Sequence, residues 1–206
     1  IHPEIIKYHN NYKIIIYQGD LNWKRGLKSI ILSMEYWKDD WLLCLVGKND
    51  LEDNFHEMAN DLHQSLKSKS KLLILPAQDY YTLSSITSFC HIGLAVMLKK
   101  DENTNLNIQM LAGASNKVAE YMASGLPIIA PAGEGYEKIF NKYRCGFTLN
   151  PQNIKSLACR IKSILDNNYE QSSYNSKSAF ENEYNYNYQF DKLIKNLVSF
   201  PFFIIL

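Results

Sequence analysis

Two stretches of this chain carry the residue types that grip phosphate and sugar. The first is Gln18-Gly19-Asp20-Leu21-Asn22-Trp23-Lys24-Arg25-Gly26. Gly19 permits a sharp turn and a close backbone approach, and Lys24 and Arg25 bring two cations to the same loop. A guanidinium there can hold a phosphate through two parallel hydrogen bonds. The second runs Gly113-Ala114-Ser115-Asn116-Lys117-Val118-Ala119-Glu120-Tyr121-Met122-Ala123-Ser124-Gly125-Leu126-Pro127. Ser115 suits a helix N-cap, Gly125 a helix stop, and Pro127 the opening of a following strand. Asn116 and Glu120 then share a helix face, as do Lys117 and Tyr121. A carboxylate one turn in from a helix N-terminus can accept both hydroxyls of a ribose diol. Each stretch also has a plainer reading: an ordinary charged loop, and a capped surface helix in which Glu120 pairs with Lys117.

Such residues act only if the fold brings them to one edge. Lys13–Gln18 (KIIIYQ), Trp41–Val46 (WLLCLV), Lys71–Leu75 (KLLIL), Ile92–Leu98 (IGLAVML), Pro127–Pro131 (PIIAP) and Gly146–Leu149 read as strands. They are continuous apolar runs, as parallel strands covered on both faces require. Leu27, Ile30, Ile31 and Met34 form a helical stripe, and so do Ile154, Leu157, Ala158, Ile161, Ile164 and Leu165 after Pro151. Strands alternating with helices predict an α/β fold: a Rossmann-like, doubly wound, mostly parallel sheet of about six strands. In such a sheet ligands bind beyond the carboxyl ends of the strands, and phosphates favour helix N-termini. Asn167–Gln189 reads as a polar surface helix followed by a loop, and Asp191–Val198 as a short terminal helix.

Composition narrows the function further. Of 206 residues 46% are hydrophobic, enough for a packed core, and 22 Lys+Arg against 21 Asp+Glu leave a net charge of +1. That balance argues against a nucleic-acid binder. The tyrosines 184, 186 and 188 have no basic residues interleaved and are not read as a nucleic-acid platform. Cys44, Cys90, Cys145 and Cys159 form no C-x-x-C pair and are expected to be buried free thiols of a reducing compartment. His56 and His63 lack further ligands for a metal and read as surface residues, His91 as structural, and Trp23 as packed on its own domain. The apolar end Phe200–Leu206 is far shorter than the roughly 20 residues of a membrane span. No G-x-G-x-x-G follows the first strand, which disfavours a dinucleotide-dependent dehydrogenase. The chain starts at Ile1 and reads as part of a longer protein.

The run SNKVAEYMASGLPIIAP resembles the signature helix of the retaining glycosyltransferases with the GT-B fold (glycosyl transferases group 1, family 4-like). Members show Lys-x-x-Glu-Tyr-Met-Ala-x-Gly-x-Pro before a buried strand. IIIYQGDLNWKRGL is similar to the first strand and glycine loop of that group's C-terminal domain, and AGEGYEKIFNKYRCGFTLNP to the segment after the signature strand. The likeness is collinear from about Lys13 to Asp166. It implies a nucleotide-sugar-binding domain over residues 13–166, an inter-domain linker at 1–12 and C-terminal helices or a tail at 167–206. It implies donor binding by Gly19, Lys24, Arg25, Ser115, Asn116, Lys117 and Glu120, with Arg25 on the pyrophosphate and Glu120 on the ribose. Gly133–Gly135 would form a neighbouring loop.

The function implied is transfer of a sugar, with retention, from a nucleoside diphosphate sugar to a glycan or lipid-linked acceptor in polysaccharide biosynthesis. The acceptor would be held by an N-terminal domain outside this chain. No cofactor or metal is expected, and the location implied is cytoplasmic, with attachment to the inner face of a membrane left open. Three departures bear on catalysis. Ala112 stands where many relatives have a first glutamate, Asp20 stands where an arginine is frequent, and the acceptor half is missing. The catalytic group is therefore unassigned, with Lys117 the candidate substitute. The alternative is a non-catalytic sugar-nucleotide-binding subunit, or a degenerate GT-B half that needs a separate acceptor domain. A sugar-nucleotide epimerase on the same fold would need acid and base residues that this sequence does not offer.

Overall fold

A computed structural model describes residues 2–49, 54–95, 115–149 and 153–199. The β-branched run Ile14-Ile15-Ile16 lies in the central strand β1 (Lys13–Gln18), which is buried at every position but its first. Such side chains are stiff at χ1 and pack well on a pleated surface. β2 (Trp41–Gly47) and β3 (Lys71–Pro76) lie on one side of β1; β4 (Ile92–Leu94), β5 (Ile128–Pro131) and β6 (Gly146–Leu149) lie on the other. The order is β3-β2-β1-β4-β5-β6, and every pairing is parallel. This is the doubly wound arrangement that the alternating strand and helix patterns predict. Of the fourth run, residues 96–98 lie outside the described residues.

Alternate strand residues point to opposite faces, and each face has its own helical layer. Among the described residues the α-helices are α1 (Pro3–His9), α2 (Leu27–Ser33), α3 (Phe55–Gln64), α4 (Tyr80–Ser88), α5 (Asn116–Ala123), α6 (Glu134–Tyr143), α7 (Ile154–Ser163), α8 (Tyr169–Ala179) and α9 (Tyr186–Ser199). Ile14, Ile16, Leu42, Cys44 and Val46 pack with Ile86 of α4, Tyr121 and Met122 of α5, and Ile139 and Phe140 of α6. Ile15, Tyr17, Leu43 and Leu45 pack with Ile30 and Ile31 of α2, Phe55 of α3, and Leu157 and Ile161 of α7. Burying one such Ile or Leu contributes roughly 1.5–3 kcal/mol. The helices, mostly short, are held by these layers more than by propensity.

Several details depart from the sequence pattern. Residues 3–9 are helical, with Ile5 fully buried. The expected loop before Gln189 is helical instead, passing through π-type turns at Ile164–Asn168 and Phe180–Tyr184. The chain breaks only at Asn185, which is extended and whose side-chain oxygen accepts from Tyr188 N at 2.9 Å, capping α9. The polar run stays helical because Ser172, Ser176 and Ala179 are buried, and the Ser176 hydroxyl donates to the Leu126 carbonyl at 2.6 Å. Cys44, Cys90 and Cys145 are buried free thiols, but Cys159 is exposed. The inward face of α7 is Leu157, Ala158 and Ile161, and Cys159 falls to the outside of it. No described helix is long and apolar enough to cross a membrane, and no cluster of His, Cys, Asp and Glu among the described residues could hold a metal ion. His63 meets the Ser70 carbonyl at 3.0 Å.

Candidate functional site

At the end of β1, Gly19 turns the chain across the end of β2 with φ 134°. Its N–H donates to the Val46 carbonyl at 2.9 Å, and Leu21 N donates to the Lys48 carbonyl at 2.6 Å, so the loop prolongs the sheet ladder. The approach is close enough that a Cβ on Gly47 would fall 1.7 Å from the Gly19 oxygen. A single 3-10 turn, Trp23–Arg25, then leads through Gly26 into α2. The Trp23 ring packs on Phe55 with centroids 4.8 Å apart, so it belongs to the fold. Lys24 is exposed. Arg25 points back along the loop and pairs with Asp20 at 2.5 Å.

The second stretch faces this loop from α5. Ser115 occupies the N-cap position, and its carbonyl accepts from Val118 N at 3.0 Å. Its hydroxyl makes no capping bond and hydrogen-bonds Tyr136 of α6. The side-chain cap suggested by the sequence is thus replaced by a tie between two helices. Gly125 closes α5 at φ 68°, as its place in the sequence suggests. Tyr121 is fully buried beneath the helix, its ring filling the space at Gly93, where a Cβ would stand 2.4 Å from it. The Tyr121 hydroxyl accepts from Gln18 N at 3.1 Å and lies 3.3 Å from the Leu94 carbonyl. This one side chain pins α5 to the ends of β1 and β4.

That anchoring sets the charged residues. Glu120, one turn into α5, accepts a hydrogen bond from the side-chain amide of Gln18. The Lys117 ammonium reaches over the Tyr17 ring and lies 3.2 Å from where a Cβ on Gly19 would be. Burial, and then the Arg25 charge, lower the Lys117 pKa to about 8, against the pull of Asp20 and Glu120. Burial raises the Glu120 carboxyl above its ordinary value, opposed by Lys117 and by the Gln18 hydrogen bond. Two mutually repelling cations beside a glycine turn and a helix N-terminus make a place that an anion would stabilise.

The structure therefore brings Gly19, Arg25, Lys117 and Glu120 together, sets Asn116 exposed at the helix start, and leaves Lys24 exposed on its turn. Ala112, Gly113 and Ala114 lie outside the described residues. A cleft of about 300 Å³ opens between α4 and α5, lined by Tyr80, Leu83 and Thr87 on one helix, Asn116 and Glu120 on the other, and Phe180 and Tyr184 beyond them. Three contributors have no role in the motif reading: Tyr17 and Gln18, which lie within the run IIIYQGDLNWKRGL, and Thr87, which lies outside the motifs. The one sequence signal for them is the polar Gln18 that ends an otherwise apolar strand interior.

The family model described as Glycosyl transferases group 1 matches residues 2–181. The chain belongs to the group 1 glycosyl transferases. No curated protein sequence matches it. Three solved structures place this glycosyl transferase domain among GT-B folds. HepE from Anabaena, in complex with UDP-glucose, superposes with a TM-score of 0.74 at 13% identity over 97% of this chain and 54% of that one. A glycosyltransferase from Rickettsia africae gives 0.66 at 20% identity, covering 97% and 53%. The α,α-trehalose 6-phosphate synthase of Burkholderia multivorans gives 0.67 at 13% identity, covering 95% and 44%. The glycosyl transferase domain spans about half the length of these proteins.

Proposed function

We propose that this chain is the donor-nucleotide-binding, C-terminal half of a retaining GT-B glycosyltransferase. The observation that carries the reading is the paired placement of two residues of α5. Glu120 lines the cleft, where its carboxylate can accept from a ribose diol. Lys117 lies one turn earlier over the Gly19 loop, where it can meet a diphosphate. The bound UDP-glucose named for HepE supports a nucleotide sugar as the ligand class.

In this reading the leaving diphosphate gathers charge as the glycosidic bond breaks. Lys117, Arg25 and the backbone N–H groups at the start of α5 stabilise that charge before solvent can reorganise. Arg25 must leave Asp20 to do so, and the cost is small because an exposed ion pair is worth at most about 1 kcal/mol. No cofactor enters the step. An N-terminal domain outside this chain supplies the acceptor, a glycan or lipid-linked saccharide, in cytoplasmic polysaccharide assembly at or near a membrane.

Calorimetric titration of the folded chain with UDP, GDP and their sugar conjugates tests the reading. Saturable binding of one nucleotide is expected, weakened at least about tenfold by Glu120→Ala, as loss of a hydrogen bond to a charged group predicts. No binding by any of them would overturn it in favour of a half that is degenerate or works only with a partner subunit.

A further inference from the structure

Gln18 opens the first of the two sequence stretches but carries no role there, yet it joins three elements next to Thr87 and Glu120 of the cleft lining. Its backbone N–H donates to the Tyr121 hydroxyl at 3.1 Å, and its side-chain amide donates to the Glu120 carboxylate. Its side-chain oxygen lies 3.2 Å from the Thr87 hydroxyl, which is itself anchored on the Leu83 carbonyl at 2.8 Å. Gln18 is only 4% exposed. A carboxylate can only accept, so the NH2 end of the amide must face Glu120; the oxygen end then faces the donor on α4. Glu120 thus sets the amide orientation, and the single Thr87 proton is shared between the Leu83 carbonyl at 2.8 Å and the Gln18 oxygen at 3.2 Å.

We propose that Gln18 is a positioning residue of the donor site: its amide, whose oxygen faces Thr87, holds one Glu120 oxygen and leaves the other to the hydroxyls of a ligand in the cleft. The inference rests on the donor-binding reading. Apart from Gln18, the groups that act on Glu120 are Lys117 on its own helix and the low-polarity surroundings of the cleft. The phenol of Tyr121 feels the Glu120 charge in turn. Without the amide, a half-buried carboxylate would meet the cleft with its charge poorly compensated, and its rotamer would be set by nothing else on β1.

The test compares the whole chain with Gln18→Met and Thr87→Val, each checked for a native circular dichroism spectrum and cooperative melting. The Glu120 carboxyl is followed by carbon-detected NMR through a pH titration without nucleotide, and UDP affinity is then measured at pH 6. Glu120 is expected to titrate at higher pH in Gln18→Met than in the parent chain, with a smaller shift in the same direction in Thr87→Val. UDP affinity is expected to fall roughly tenfold in Gln18→Met. It should fall little further when Glu120→Gln is added, since the two residues act as one unit. An unchanged Glu120 titration in folded Gln18→Met overturns the proposal; if that variant does not fold, Thr87→Val decides in its place. A parent chain that binds no nucleotide while its Glu120 titration still responds to Gln18 would instead overturn the donor-site reading on which the proposal rests.

Discussion

The Lys117 ammonium lies over the face of the Tyr17 ring, 4.3 Å from its centroid. The ring face favours the cation, while burial and Arg25 disfavour it and bring the pKa to about 8. Lys117 is therefore charged below that pH, and affinity for a diphosphate should weaken as pH rises through about 8. A bound diphosphate pulls the proton onto Lys117, so binding near pH 8 should take up protons. Calorimetry in buffers of different ionisation heat measures this uptake, and Lys117→Met should abolish it. Equal proton uptake in the variant would place the titrating group elsewhere.

Asp20 holds Arg25 at 2.5 Å on the face that a phosphate would approach. Asp20→Asn removes a competing carboxylate and a repulsive charge. Diphosphate affinity should rise about two- to fivefold at low salt, the scale of an exposed pair, and the gain should shrink as salt is added. Weaker binding in Asp20→Asn would mean that Asp20 itself serves the ligand.

Gly93 is required by volume. A Cβ there would overlap the Tyr121 ring at 2.4 Å, and the ring cannot move without losing its bonds to β1 and β4. Gly93→Ala should destabilise the fold by about 3 kcal/mol, measured by urea denaturation. Adding Tyr121→Leu should recover part of the loss, because the two positions share one space. A fully additive pair of losses would sink this account.

His91 sits between β1 and α8, its Nδ1 accepting from Ile14 N at 3.1 Å and its ring 5.8 Å from that of Tyr169. Burial, and then the Lys13 charge, lower its pKa from 6.5 to about 4. Between those values the unfolded chain binds more protons, so the stability contributed above pH 6.5 is lost as pH falls toward 4. The loss should be on the order of 2 kcal/mol, allowing for partial exposure. His91→Gln keeps an acceptor for Ile14 N but cannot titrate, and its melting temperature should fall less steeply over that range.

Much of the architecture was legible along the chain. Continuous runs such as IIIY and LLCLV mark strands covered on both faces, and the positions of Gly19, Gly125 and Pro127 mark the turns that end elements. These signals are local: backbone sterics and burial periodicity act over a few residues. The C-terminal run of Asn, Tyr and Ser reads as a polar helix giving way to a loop; it stays helical to Tyr184 because Ser172, Ser176 and Ala179 meet a surface made by other elements.

The sequence by itself determined the layers, the strand and helix spacing and the candidate charges of the site. Only the tertiary structure decided how those charges are partnered. Glu120 could have paired with Lys117 on its own helix; it is held instead by Gln18, 102 residues away, and Arg25 is held by Asp20. Alternative polar pairings differ by only about 1 kcal/mol, whereas the apolar burial that seats a helix on a sheet amounts to several times that. The packing of Tyr121 against Gly93 therefore sets where α5 lies, and the polar side chains take the partners found there.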